Sequence, residues 1–173
     1  MALLPYPDPE LLSPENRQIV DAMPLNLVRM LARLGPAFPA FFGLVKSINE
    51  IGGLSAQQRE LIALRTSHKI GARYVWEQHV NIARQLGIME TEIDAIRKPA
   101  TEPLGLFVEA LLEPTSDPAP HLQSLKKMEG DQAVHEAILV TGIYFFLSRY
   151  SDVLQVDMDE GFLDDLQRRL SRS

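Results

Sequence analysis

The sequence predicts an all-α fold, and three observations carry that expectation. No alternation of apolar and polar residues runs long enough for a useful strand. Helix starts recur as a capping residue followed by proline, at Ser13-Pro14-Glu15 and Asp117-Pro118, and helix stops recur as glycines, at Gly71, Gly87 and Gly130. Finally, Ala72, Val75, Trp76 and His79 fall at i, i+3, i+4 and i+7, which is one helical face.

The elements follow in order. Residues 1–13 hold Pro5, Pro7 and Pro9, so the spacing predicts a non-helical, extended arm. The helix opened by Ser13 should stop before Pro24. Asn26 is placed to cap a second short helix, Leu27 to Arg33, ending at Gly35. Pro36 and Pro39 fit the first turn of a third helix carrying Phe38, Phe41, Phe42 and Val45, broken by Gly52-Gly53. Ser55 should cap the next helix, with Leu61, Ile62 and Leu64 inward and Gly71 as its stop. The His79 helix then runs to Leu86, and a short helix from Glu90 to Arg97 closes at Pro99. Thr101-Glu102-Pro103 opens a helix with Leu106, Phe107, Ala110 and Leu111 on one side. After the loop from Pro114 to Asp117 another helix ends at Gly130. Asp131 opens the longest helix, to Leu154; its stretch from Ile138 to Leu147 is nearly all apolar, so it is expected at the centre of the core. Residues 159–171 read as a charged terminal helix. His135-Glu136-Ala137-Ile138 echoes Arg59-Glu60-Leu61-Ile62, a match too short to establish duplication.

A chain of 173 residues suits one domain, 1–173, with a sizeable core, and 46% hydrophobic with 23% charged residues is ordinary for a globular protein. The net charge of −6 argues against a general nucleic-acid or acidic-membrane surface. There is no cysteine, which removes disulfides, thiolate metal sites and cysteine nucleophiles together. No basic-then-apolar leader and no run of about 18 apolar residues is present, so a cytoplasmic protein is the default expectation. The four histidines form no metal-binding spacing, and no phosphate-binding glycine loop, haem or flavin motif occurs; no metal and no cofactor is expected.

Glu60 and His79 are the candidate catalytic residues. A partly buried carboxylate and an imidazole on adjoining helices can exchange protons near neutrality. The plain readings are an ion pair of Glu60 with Arg59 or Arg65, and a core histidine with one satisfied hydrogen bond. Tyr74 and Trp76 flank the pair, although aromatic residues at helical spacing usually belong to a core. Arg65, Arg73 and Arg149 are candidate carboxylate clamps, because guanidinium offers a planar fork. Glu136 and Tyr144 are candidates for a supporting layer.

The stretch resembles the carboxymuconolactone decarboxylase and alkylhydroperoxidase D superfamily. That family's pattern is Glu, twelve residues on Cys, three more Cys, four more His. Here the same spacing gives Glu60, Ala72, Val75 and His79, so the outer pair is kept and both thiols are absent. The Arg-Glu-Leu opening, Tyr74-x-Trp76-x-x-His79, Gly87 and the acidic helix start that follows also match, and the resemblance covers roughly residues 25 to 156. It implies an alkylhydroperoxidase D-like multi-helix bundle, assembly into a homo-oligomer (a dimer or its multiple, with a trimer as the alternative), and a place in aromatic catabolism. It also implies a lyase-type enzyme rather than a thiol peroxidase, working by cofactor-free acid/base chemistry, decarboxylation or isomerisation, on a small organic acid or lactone. Ala72 and Val75 would leave a small apolar space beside His79 for that substrate, with Tyr74, Trp76, Arg65 and Arg73 around it. The alternative is a non-enzymatic small-molecule-binding or structural oligomer on the same fold.

Overall fold

The computed structural model describes residues 1–159; the expected terminal helix lies outside the described residues, apart from Asp159. Among the described residues there are nine α-helices and no strand. They divide into two compact units, Met1–Val45 with the described residues from Leu154 on, and Lys46–Val153.

The first unit contains α1 (Pro14–Ala22), α2 (Asn26–Leu31) and most of α3 (Ala37–Ser47). Ser13 caps α1 by accepting the Asn16 amide at 3.2 Å, with Pro14 in the first turn. The proline-rich arm is extended except for one 3-10 turn, Pro9–Leu11, where Asp8 accepts the Glu10 amide. It is fastened rather than loose. The Met1 ammonium and the Ala2 amide meet Asp157, and the Leu3 amide donates to the Leu154 carbonyl at 2.9 Å. Asn26 does not cap α2 as expected. It is the first helical residue, and the Asp159 carboxylate accepts its amide at 2.7 Å, a partner 133 positions away. On the third helix Phe38 is fully buried and Phe41 and Phe42 are half-buried.

The second unit is built on α4 (Ala56–Ile70). Around it lie α5 (Arg73–Gln85), α6 (Glu90–Ala95), α7 (Pro103–Leu112), α8 (Ala119–Glu129) and α9 (Asp131–Val153). α4 packs directly on α5, α7 and α9, and Ala63, Leu64, Thr66 and Ser67 on it are fully buried. Its start is a capping box: Ser55 accepts the Gln58 amide at 3.1 Å while the Gln58 side chain accepts the Ser55 amide at 2.8 Å. Its end is Gly71, whose φ of 78° lies in the left-handed region that favours glycine. That turn folds α5 back along α4.

α9 is 23 residues long and only partly the wrapped core helix its apolar run predicts. Val140, Ile143 and Leu147 are buried, but Ile138, Phe145 and Phe146 are 44, 47 and 36% exposed. The run is apolar on all sides, so periodicity cannot say which face turns outward.

Candidate functional site

Tight reversal at Gly71 brings α4 and α5 side by side, and the Glu60 and His79 side chains meet there. His79 Nδ1 lies 2.7 Å from Glu60 Oε1, with side-chain exposures of 14 and 8%. A carboxylate only accepts, so with Glu60 ionised Nδ1 carries the proton, and in the neutral imidazole Nε2 is then the free base. The Tyr144 ring of α9 stands edge-on to the imidazole, centroids 4.7 Å apart and planes at 86°. Burial, and then the Glu60 carboxylate, push the Tyr144 phenol well above its ordinary range, so it stays protonated at neutral pH.

A second carboxylate braces this arrangement. Glu136, on the face of α9 that also bears Tyr144 two turns later, is completely buried. Its Oε2 accepts the Gly53 and Leu54 amides at 2.8 and 2.9 Å, and its Oε1 accepts Arg59 Nη1 at 3.0 Å. Arg59 also donates to the Leu54 carbonyl at 2.7 Å. Thus Glu136 ties the loop before α4 to α9, and Arg59, next to Glu60 in sequence, is paired with Glu136. The sequence offers Arg59 as an ion-pair partner of Glu60 and Glu136 as a supporting residue; the structure pairs the two with each other instead.

The other candidate residues go elsewhere. Arg65 is buried and donates through Nη1 to Glu109 at 2.9 Å and to the Lys98 carbonyl at 2.7 Å. Arg73 is the exposed first residue of α5. Arg149 is exposed and 3.7 Å from Asp152. Trp76 packs in an apolar cluster with Leu64, Val80 and Ile93, where Arg97 stands 4.5 Å from its ring centroid and His68 5.4 Å from it. Tyr74 is 5% exposed. Ala72 and Val75, at 1 and 2%, are packed in. One cavity in this unit is lined by α4, α7 and α8 and another lies beside Thr141 and Gly142, and neither is lined by Ala72, Val75 or His79. Among the described residues no group of three His, Asp or Glu is placed to hold a metal, and no helix is long and apolar enough to cross a membrane.

Comparisons with known proteins agree with this architecture. Residues 36–112 match the carboxymuconolactone decarboxylase family. No curated protein matches the chain. Among solved structures, an uncharacterized peroxidase-related protein from Ralstonia eutropha JMP134, described as an alkylhydroperoxidase AhpD core, superposes with a TM-score of 0.80 at 19% identity over 94% of each chain. A protein of unknown function from Agrobacterium tumefaciens, provisionally assigned to antioxidant defence as AhpD, superposes with a TM-score of 0.64 at 18% identity, over 82% of this chain and 95% of that one. At these identities the structures speak for the fold alone. Over residues 36–112 the chain thus resembles the carboxymuconolactone decarboxylase family, it shares the helical bundle of the two solved structures, and it keeps the Glu60–His79 spacing around Ala72 and Val75 without the two motif cysteines.

Proposed function

We propose that the protein is a cofactor-free acid/base enzyme acting on a small organic acid or lactone, with His79 moving the proton and Glu60 fixing its tautomer. The observation that supports this reading is the 2.7 Å Nδ1–Oε1 contact in a nearly dry setting. Such a contact fixes the ring's orientation and, in the neutral imidazole, its tautomer, so that one nitrogen is aimed as a base. In a proton shift, Nε2 takes a proton from the carbon next to a carbonyl, the electron pair delocalises onto the carbonyl oxygen, and the imidazolium returns the proton to another carbon. In a decarboxylation, the bond to the carboxyl carbon breaks, its electron pair stays on the substrate carbon, carbon dioxide leaves, and His79, entering this step as an imidazolium with a proton taken from water, protonates that carbon. The second route calls for a cation to hold the departing carboxylate. Arg59 is paired with Glu136, and Arg65 lines a cavity that does not include His79, so the proton shift asks less of these residues.

The discriminating experiment is isotope exchange. The protein is incubated in D2O with small lactones, carboxylated lactones among them, and unsaturated or keto acids, and deuterium entering the carbon next to the carbonyl is followed by NMR. Exchange should fall by roughly 100-fold or more in His79→Ala and Glu60→Gln. Equal rates in the wild type and both variants would end the proposal.

A second reading, a non-enzymatic binding or structural member of the fold, is favoured by one observation. Ala72, Val75 and Trp76, in the stretch where the family carries its thiols, are 1, 2 and 8% exposed. Under either reading thiol-dependent peroxide reduction is not expected, since the chain has no cysteine to form the thiolate.

A further inference from the structure

A cavity of about 160 Å³ opens between α4, α7 and α8, away from Glu60 and His79. Leu61, Ile62, Val108 and Leu125 are among the apolar side chains of its wall. An apolar cavity of about 150 Å³ admits benzene, so this one has room for a single ring. One buried charge enters the wall, the Arg65 guanidinium, and only part of it is satisfied. Nη1 donates to Glu109 and to the Ile96 and Lys98 carbonyls. On the other edge, Nε is buried without a hydrogen-bond partner, and Nη2 faces Glu102 Oε1 at 3.7 Å, beyond hydrogen-bonding distance. The Glu102 side chain is 55% exposed and lies over Gly105, where any larger residue would collide with its carboxylate.

A guanidinium edge of Nε and one Nη is the fork that a planar carboxylate meets with two parallel hydrogen bonds. A buried N–H without an acceptor is costly, so a ligand that supplies one is favoured. We infer that the cavity binds a small apolar monocarboxylate with one ring, its carboxylate side-on to Arg65 and its ring among the apolar side chains. Glu102 swings into solvent as the ligand enters. The exchange replaces one carboxylate by another, so the charge beside Arg65 is conserved. A second negative charge on the ligand would face Glu129 and the released Glu102 at the rim, which restricts the site to monoanions. This inference uses none of the residues of the proposed acid/base pair and stands or falls separately.

The test follows the Arg65 Nε–H resonance of ¹⁵N-labelled protein during titration with benzoate, benzamide and benzylamine. Benzoate should move it saturably, benzamide more weakly, and benzylamine not at all. Glu102→Gln, an exposed change that removes the competing carboxylate, should tighten benzoate binding by roughly 3-fold or more. Arg65→Lys, checked for folding by circular dichroism, should abolish it. An unmoved Arg65 signal in millimolar benzoate would overturn the inference. So would benzamide or benzylamine binding as well as benzoate, or a Glu102→Gln protein that binds benzoate no better than the wild type.

Discussion

Glu136 accepts hydrogen bonds from two backbone amides and a guanidinium, so its removal leaves both amides without an acceptor and Arg59 with the Leu54 carbonyl but no countercharge from Glu136. Breaking a buried pair from one side costs about 3–5 kcal/mol. Glu136→Ala should lose about that much in urea unfolding, and Glu136→Gln, which keeps an acceptor oxygen, clearly less. A change below about 1 kcal/mol in the alanine variant would show that the loop at Gly53 is held by something else. At this scale the Glu60–His79 pair was legible because a spacing and a glycine reversal suffice to bring two side chains together. Glu136 was legible as a supporting residue but its partners were not, since they lie 77 to 83 positions away. Trp76 and Arg65 were misplaced for a related reason. Each is near the motif in sequence, but helix rotation turns Trp76 toward α6 and Arg65 toward Glu109.

Helix ends were easier to read than helix faces. Ser13, Ser55, Gly71 and Gly130 act where they stand, because capping and the left-handed turn are local chemistry. Which side of α9 is buried depends on what packs against it, and a run apolar all round carries no such signal. Gly53 has a reason of its own. A Cβ there would lie 2.6 Å from the Ala133 amide nitrogen, so the loop can approach α9 only without a side chain. Gly53→Ala should therefore cost about 1–3 kcal/mol through backbone displacement. Gly71→Ala should cost about 1–2 kcal/mol, through conformation rather than collision. Thermal unfolding of the two variants, with a Gly43→Ala control in open space, separates these causes; equal stability of all three would refute both.

For the molecule as a whole, the fastening of the arm makes it sensitive to acid. The Met1 ammonium, with the Ala2 amide, holds the Asp157 carboxyl below its ordinary value of 3.8. A carboxyl held low contributes stability that is fully present above its unfolded value and is lost as pH falls through its lower folded value. Amide-exchange protection at Leu3 should thus persist above about pH 4 and fade below it, and Asp157→Asn should show reduced protection even at neutral pH. Protection unchanged in that variant would contradict the assignment. Exposed Ile138, Phe145 and Phe146 on α9, rather than the third helix, are the apolar surface that a homo-oligomer would cover. Light scattering at micromolar concentration should give a dimer or a larger assembly, and a mass near 19.4 kDa would exclude it. The proton between Glu60 and His79, on which the acid/base pair depends, can be observed directly in the ¹⁵N spectrum of the imidazole. With Glu60 accepting from Nδ1, neutral His79 should show a protonated Nδ1 and an unprotonated Nε2, and Glu60→Ala should shift the ring toward the Nε2–H tautomer. A wild-type ring already protonated at Nε2, or a spectrum unchanged by the substitution, would contradict the acid/base pair.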